Sequence, residues 1–261
     1  MIRFAIPILL ALAGPAHAAC GNSSAGFAAW KSSYAQEAAR QGIGARGLDA
    51  FAATQYAQRT INADRNQKSF RLSLDEFMRK RGADTIVAQG RRMKAQNASF
   101  YQSLERAYGV PAGVLIAIHG METGFGRFMG DANVLSAVAT LAYDCRRPDF
   151  FRPHLIAALR LVDQGAISPG SVGAMHGELG HTQFLPANVL AYGEDANRDG
   201  RVDLTNLTDA MASTANFLRQ KGWKPGQGYQ PGQPNFAAIE AWNAASVYQQ
   251  SIAIMAARID G

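Results

Sequence analysis

The sequence predicts a mainly α-helical protein, and three observations carry that prediction. Apolar residues recur at helical spacing through a series of alanine-rich stretches, no stretch alternates apolar and polar residues as a half-buried strand would, and hydrophobic residues make up 48% of 261 positions. That fraction is enough for one or two lobes around a substantial core, which excludes a disordered chain.

The elements follow in chain order. Met1-Ile2-Arg3 is a short basic start, Phe4 to Ala13 an apolar run, and Ala16-His17-Ala18 a small-x-small cleavage site, so residues 1–18 read as a signal peptide and the mature chain as a periplasmic protein. The apolar run is too short to span a bilayer, and no later stretch reaches the roughly 20 residues that a transmembrane helix needs. Cys20 lies close to the cleavage site, but His17-Ala18-Ala19 lacks a lipobox leucine, which argues against a lipid anchor. The other cysteine is Cys145; an oxidising compartment favours pairing the two, with two separate thiols as the alternative.

Helices are predicted over Gly26 to Arg40, Leu48 to Tyr56, Ser73 to Lys80, Ala83 to Tyr108, Val134 to Ala142, Arg152 to Gln164, Leu207 to Lys221 and Ser246 to Ile259. Asp84 or Thr85 is a candidate cap for the helix beginning near Ile86, and Gly109 with Pro111 separates that helix from the next. Lys224 to Asn235, rich in Gly, Pro and Gln, reads as a surface loop. The net charge of +6 and a pI near 9.5 suit an anionic polymer or membrane surface. Export disfavours nucleic acid as a partner, and neither zinc-ligand spacing nor a phosphate-binding glycine loop occurs.

Pro111 fits the first turn of a helix whose apolar side is Val114, Leu115, Ile116 and Ile118, and which Gly124 and Gly126 end. Glu122 lies four residues after Ile118 and seven after Leu115, on the stripe that faces inward. A carboxylate there is either paired in a structural ion pair or kept neutral by burial, and the second state is what a general acid needs. Spacing alone leaves both open.

The stretch Tyr108-Gly-Val-Pro-Ala-Gly-Val-Leu-Ile-Ala-Ile-His-Gly-Met-Glu-Thr-Gly-Phe-Gly126 closely resembles the catalytic segment of the membrane-bound lytic murein transglycosylase B family. Ile61 to Gln67 and the segment from Ile86 to Tyr108 are similar to the family's N-terminal region, so the resemblance runs from about Phe27 to the C-terminus. It implies a lysozyme-like catalytic core over residues 109–261, an N-terminal helical portion over 19–108, and Glu122 as the single catalytic carboxylate. Gly177 to Pro186 is similar to the family's Gly-x-x-Gly-x-Thr-Gln-Phe-x-Pro stretch, which implies substrate-binding roles for Thr182 and Gln183. A glutamine amide can donate to and accept from a sugar's acetamido and hydroxyl groups. Ala241 to Ala245 resembles the family's Tyr-Asn-x-Ser segment and implies substrate contacts from Trp242 and Asn243. Trp242 replaces the tyrosine, the serine is missing, and Ala174 stands where relatives often carry serine, so hydroxyls that would meet substrate or acid are lost.

Asp195-Ala-Asn197-Arg-Asp199-Gly200-Arg201 begins like an EF-hand-like loop, with oxygen side chains at its first, third and fifth positions, a turn glycine, and a carbonyl donor at the seventh. Asn206 stands where the bidentate Glu would be. In the resembling family a similar loop takes a later Asp, to which Asp209 corresponds, implying structural Ca2+ held by Asp195, Asn197, Asp199, Arg201 and Asp209 and no cofactor for the chemistry.

The implied activity is cleavage of the MurNAc-GlcNAc bond of peptidoglycan glycan strands, by a monomer, with 1,6-anhydro-MurNAc ends and Glu122 as acid and then base. Two rivals stand beside it. A peptidoglycan hydrolase (muramidase) would need a second carboxylate, for which Asp131, Asp144 and Glu178 are nearest the motifs. A non-catalytic wall-binding scaffold would keep the fold without turnover. His119 and His181 flank motif residues without metal spacing and are read as hydrogen-bonding within the fold.

Overall fold

The computed structural model describes residues 20–66 and 72–261, so the signal peptide expected over residues 1–18 lies outside the described residues. The chain runs α1 (Phe27–Arg40), α2 (Ala45–Ala52), α3 (Gln58–Arg65), α4 (Leu74–Arg81), α5 (Ala83–Gln96), α6 (Ala98–Tyr108), α7 (Ala112–Thr123), α8 (Val134–Tyr143), α9 (Pro148–Asp163), α10 (Pro186–Tyr192), α11 (Leu207–Gln220), α12 (Phe236–Trp242) and α13 (Ser246–Asp260). The mainly α prediction is therefore met. Two short strands, β1 (Ala132–Asn133) and β2 (Val172–Gly173), form one antiparallel ladder with Ala132 opposite Gly173 and Asn133 opposite Val172.

At the centre stands α7, buried on almost every side, as expected of a helix apolar all round. It packs chiefly against α13 and α5. Small residues make the close approach possible: a Cβ on Gly113 would lie 2.4 Å from the Ala256 carbonyl oxygen, and one on Gly120 would lie 2.5 Å from Ile86 Cγ2. No side chain of its own caps α7; instead Asp260, from the last turn of α13, accepts the Gly113 N–H at 2.9 Å. Pro111 precedes the first helical residue, and Gly124 in the left-handed region (φ 56°) ends the helix where the sequence places its end.

Around this centre, α1 and α2 pack against α8 and α9, and α4, α5 and α6 pack against α13, α7 and α11. A disulfide joins Cys20 to Cys145, so the Cys20 thiol is bound to protein. Nearby, Asp64 of α3 is buried between Arg146 and Arg147, and buried Asp144 accepts from Arg65 at 2.7 Å. No described helix is long and apolar enough to cross a membrane.

The differences from the sequence prediction have local causes. The helix expected from Ala83 to Tyr108 is two helices broken at Asn97, whose side-chain amide donates to the Met93 carbonyl and offers the backbone an alternative to continuing. Neither Asp84 nor Thr85 caps α5: the helix follows Gly82, in the left-handed region at φ 69°, and Asp84 accepts from Arg258 instead. The second helix starts before Leu48, because Asp163 of α9 accepts the N–H groups of Gly44 (2.6 Å) and Gly47 (2.7 Å), a cap supplied from more than a hundred residues away. The ninth starts at Pro148 rather than Arg152. Short α3, α10 and α12, of seven or eight residues, lie outside the predicted helices. Lys224 to Asn235 is the expected loop, tied across by Asn235, which accepts the Lys224 N–H at 2.7 Å.

Candidate active site

Glu122 occupies the last turn of α7 and lines a cleft of about 250 Å³ with Glu178, Gln183, Trp242, Asn243 and flanking apolar residues. Two donors converge on one of its oxygens: Tyr248 Oη donates to Oε1 at 2.6 Å and Trp242 Nε1 donates to the same atom at 3.0 Å. Among the described residues no donor meets Oε2. Burial pushes the carboxyl pKa up from 4.5 to about 7; the Tyr248 and Trp242 hydrogen bonds pull it down, and Glu178 adds to the rise. Among the described residues no cation pairs with Glu122, and burial favours the neutral form of its carboxyl over the charged one.

Tyr248 was not singled out in the sequence. It sits on α13, fully buried, with its ring against Phe77. It supplies the hydroxyl that the Trp242 replacement and the missing serine seemed to remove. The one available signal was its place six residues beyond Trp242 on the next predicted helix, which does not by itself point at Glu122.

Trp242 ends α12 and is held edge-on by Phe184 and Phe217 at ring separations of 5.3 and 5.1 Å. Asn243 follows it in extended conformation; its Oδ1 accepts the Ala245 N–H and its carbonyl accepts from Gln249, leaving its NH2 for a ligand. Gln183 has φ 58°, unusual for a residue with a Cβ, and its amide NH2 donates to the Gly180 carbonyl at 2.7 Å. Its carbonyl oxygen is therefore the end left for the cleft.

Thr182, which the resemblance implies as a substrate contact, lies deeper than Gln183. It is fully buried, its hydroxyl 3.0 Å from that of Thr214, and it does not line the cleft. Its contact with Thr214 ties the Gln183 loop to α11.

Of the carboxylates weighed as a second catalytic group, Asp131 pairs with Arg59 and Asp144 with Arg65, both outside the cleft lining. Glu178 alone shares the cleft with Glu122; it accepts the His176 N–H at 3.0 Å and lies 3.2 Å from His176 Nδ1.

His119, one turn before Glu122, and His181, two residues before Gln183, form a hydrogen bond of 3.0 Å between Nε2 and Nδ1. His181 also bonds to the backbone of Thr205, and His119 Nδ1 is buried with no partner among the described residues. Burial first, then the neighbouring His181, lowers the His119 pKa to about 3, so the pair is neutral. It joins α7 to the Gln183 loop without placing charge there.

Asp195, Asn197, Asp199 and Arg201 lie in an exposed loop stitched by its own side chains: Asp195 accepts the N–H groups of Asp199 and Gly200, and Asp199 accepts that of Arg201. Asp209, fully buried at the start of α11, accepts from Ala196 and Asn197 through Oδ1 and from Asp203 through Oδ2. The structure brings all five residues to one loop and its supporting helix, apart from the cleft.

Comparison with known proteins identifies the family. A family model described as "Transglycosylase SLT domain" matches residues 26–232, and the chain belongs to that family. Membrane-bound lytic murein transglycosylase B of Escherichia coli (strain K12) is 34% identical over 148 residues, covering 52% of this chain and 41% of that protein, so the chain matches about two fifths of its curated relative's length. SltB3 from Pseudomonas aeruginosa, solved in complex with NAG-NAM-pentapeptide, superposes with a TM-score of 0.83 at 28% identity, over 90% of this chain and 80% of that one. The Escherichia coli lytic transglycosylase Slt35, solved in complex with calcium, superposes at 0.77 and 20% identity over 95% and 98% of the two chains, a likeness of fold. The lysozyme-like lytic transglycosylase fold is thereby shown.

Proposed function

We propose that this protein is an exported lytic transglycosylase that cleaves the MurNAc-GlcNAc bond of peptidoglycan, with Glu122 as its acid and base. The observation that carries the reading is the convergence of Tyr248 and Trp242 on Glu122 Oε1, in a burial that holds the carboxyl protonated to about pH 7. With Oε1 accepting twice, the proton belongs on Oε2, the oxygen free to face a glycosidic bond. Glu122 Oε2 gives its proton to the leaving O4 as the C1–O4 bond breaks. The substrate's acetamido group stabilises the anomeric centre. The Glu122 carboxylate then takes the proton of the C6 hydroxyl as O6 bonds C1, closing the 1,6-anhydro ring and restoring the acid. Gln183 and Asn243 hold the sugars through the amide ends left to the cleft, and Trp242 packs its ring edge beside them.

The second reading, a muramidase, has one observation in its favour: Glu178 lines the same cleft and could activate water. Mass spectrometry of soluble products from purified peptidoglycan separates the two. Anhydro-ended fragments from wild type and none from Glu122→Gln are expected. Reducing ends would make the protein a hydrolase, and no products from either would leave a wall-binding scaffold.

The acidic loop is proposed as a structural Ca2+ site. Asp195, Asn197 and Asp199 supply hard oxygen donors, Arg201 a carbonyl, and Asp209 Oδ2, which accepts only one N–H, keeps a lone pair for the ion. Bound there, Ca2+ would hold the loop shut against α11 and take no part in proton transfer. Calorimetric titration with Ca2+ should show one site that Asp195→Ala abolishes; identical heats for both proteins would refute it.

A further inference from the structure

Glu178 is the second carboxylate lining the cleft, and its backbone is firmly set. The Ala174 N–H donates to its carbonyl at 2.9 Å, and the Leu179 N–H that follows donates to the Phe184 carbonyl at 2.8 Å. Gly177, just before it, is in the left-handed region at φ 88°. A Cβ there would lie 2.2 Å from Val138 Cγ2, so the turn is seated directly on α8.

The side chain is anchored as well. Its Oε2 accepts the His176 N–H at 3.0 Å, and its Oε1 lies 3.2 Å from His176 Nδ1. The far nitrogen of that ring, Nε2, lies 3.8 Å from Asp64 Oδ1. Asp64 is 1% exposed and takes Arg146 on one oxygen and Arg147 on the other. Burial raises its pKa, and the two guanidinium groups more than reverse that, leaving it below the usual carboxylate value. Glu178, His176 and Asp64 thus form a line from the cleft into the fold that ends on two arginines. At the cleft end the Glu178 side chain is 23% exposed. A carboxylate offers about four lone-pair sites, so the bonds to His176 leave acceptor capacity for a ligand.

The charge of Glu178 reaches the acid, since it adds to the rise of the Glu122 pKa. In a cleft of about 250 Å³ lined by both residues, a sugar whose glycosidic oxygen meets Glu122 lies against Glu178 too. What that sugar presents as its bond breaks is positive charge at C1, which passes to the acetamido group when the acetamido oxygen bonds C1. Gln183 and Asn243 are neutral and can place a sugar. Apart from Glu122 itself, Glu178 is the lining residue whose charge opposes the one being formed.

From this we propose that Glu178 is a catalytic residue that accepts the acetamido N–H of the sugar being cleaved and stabilises its oxazolinium ion, with His176 as its positioning residue. The inference rests on the lytic transglycosylase reading above. Glu122 protonates O4 as the C1–O4 electron pair leaves with the departing sugar, and the acetamido oxygen bonds C1 through a lone pair. The positive charge spreads over the oxygen, carbon and nitrogen of the new ring. Glu178 meets it through the N–H and removes no proton. The C6 oxygen then displaces the acetamido oxygen from C1, and its proton goes to the Glu122 carboxylate.

Glu178→Gln tests the proposal, because it keeps the size of the side chain and an acceptor for the His176 N–H while removing the charge. On purified peptidoglycan its kcat should fall about a hundredfold with KM unchanged, the unchanged KM showing that the site has folded. A MurNAc thiazoline, whose protonated ring carries the charge and N–H of the intermediate, is titrated calorimetrically into the full mature chain. Glu178→Gln should bind it about tenfold more weakly than wild type does, and should bind unmodified MurNAc equally well. His176→Phe, which releases the carboxylate from its anchor, should show the same split between thiazoline and MurNAc to a smaller degree. Equal kcat for wild type and Glu178→Gln, or equal thiazoline affinity, overturns the assignment. Equal weakening for thiazoline and MurNAc also overturns it, making Glu178 a sugar contact only. Reducing ends from wild type, lost in Glu178→Gln, would make Glu178 the base of a hydrolase and overturn both readings. Absence of cleavage by wild type overturns the reading on which the inference rests; where wild type gives anhydro ends that reading stands, and the Glu178→Gln comparisons decide the role of Glu178 alone.

Discussion

The Tyr248 hydroxyl lies 2.6 Å from Glu122 Oε1, across 126 residues of sequence. This contact makes the two oxygens of one carboxyl inequivalent: Oε1 is held by donors from α12 and α13, and Oε2 is left for the cleft. It also favours the carboxylate, opposing the burial that favours the acid.

Replacing Tyr248 with Phe removes a bond to the charged form. The Glu122 pKa should rise above its present value near 7, and the falling alkaline limb of the pH–rate profile should move to higher pH. Turnover at the optimum should fall about tenfold as the acid loses its orientation. A pH profile of kcat/KM for Tyr248→Phe checks both, and a limb that moves to lower pH would contradict the arrangement.

A carboxyl whose pKa rises from 4.5 to about 7 on folding stabilises the protein least where it must ionise. Below pH 4.5 folded and unfolded chains both hold the proton; between there and pH 7 only the folded chain does, so stability falls as pH rises through that window. Glu122→Gln should therefore match wild type at pH 4 and exceed it by about 1–3 kcal/mol at pH 8. Denaturant midpoints at the two pH values measure it.

The buried histidine pair gives the opposite slope. His119, with its pKa lowered from 6.5 to about 3, stays neutral when the unfolded chain takes up a proton. Stability should be lost as pH falls below 6.5, by about 2 kcal/mol at pH 5, and His119→Gln should flatten that loss. An imidazole signal for His119 that remains neutral at pH 5 would be the direct observation.

The Cys20–Cys145 disulfide closes a span of 125 residues and fixes the start of the described chain beside Asp144, through the Gly21 N–H on the Tyr143 carbonyl. Cys20→Ala with Cys145→Ala should cost about 2–4 kcal/mol of stability, read as a lowered melting temperature. Cleft chemistry should survive, since neither cysteine lines it.

By itself the sequence determined the helical class, because periodicity and alanine content act locally, and it determined where the helix carrying Glu122 starts and stops, because Pro111 and Gly124 act within a turn. It also marked Gln183, Trp242 and Asn243, whose motifs are contiguous. The tertiary structure decided the rest. The pKa of Glu122 depends on what α12 and α13 bring over it; Tyr248 became a partner only because α13 packs along α7; Thr182 is buried because α11 brings Thr214 against it. The cap on α2 comes from Asp163 of α9, and the line from Glu178 through His176 to Asp64 and its arginines exists only where three separate segments meet. These are consequences of distance in space, which sequence spacing does not encode once the chain turns back on itself.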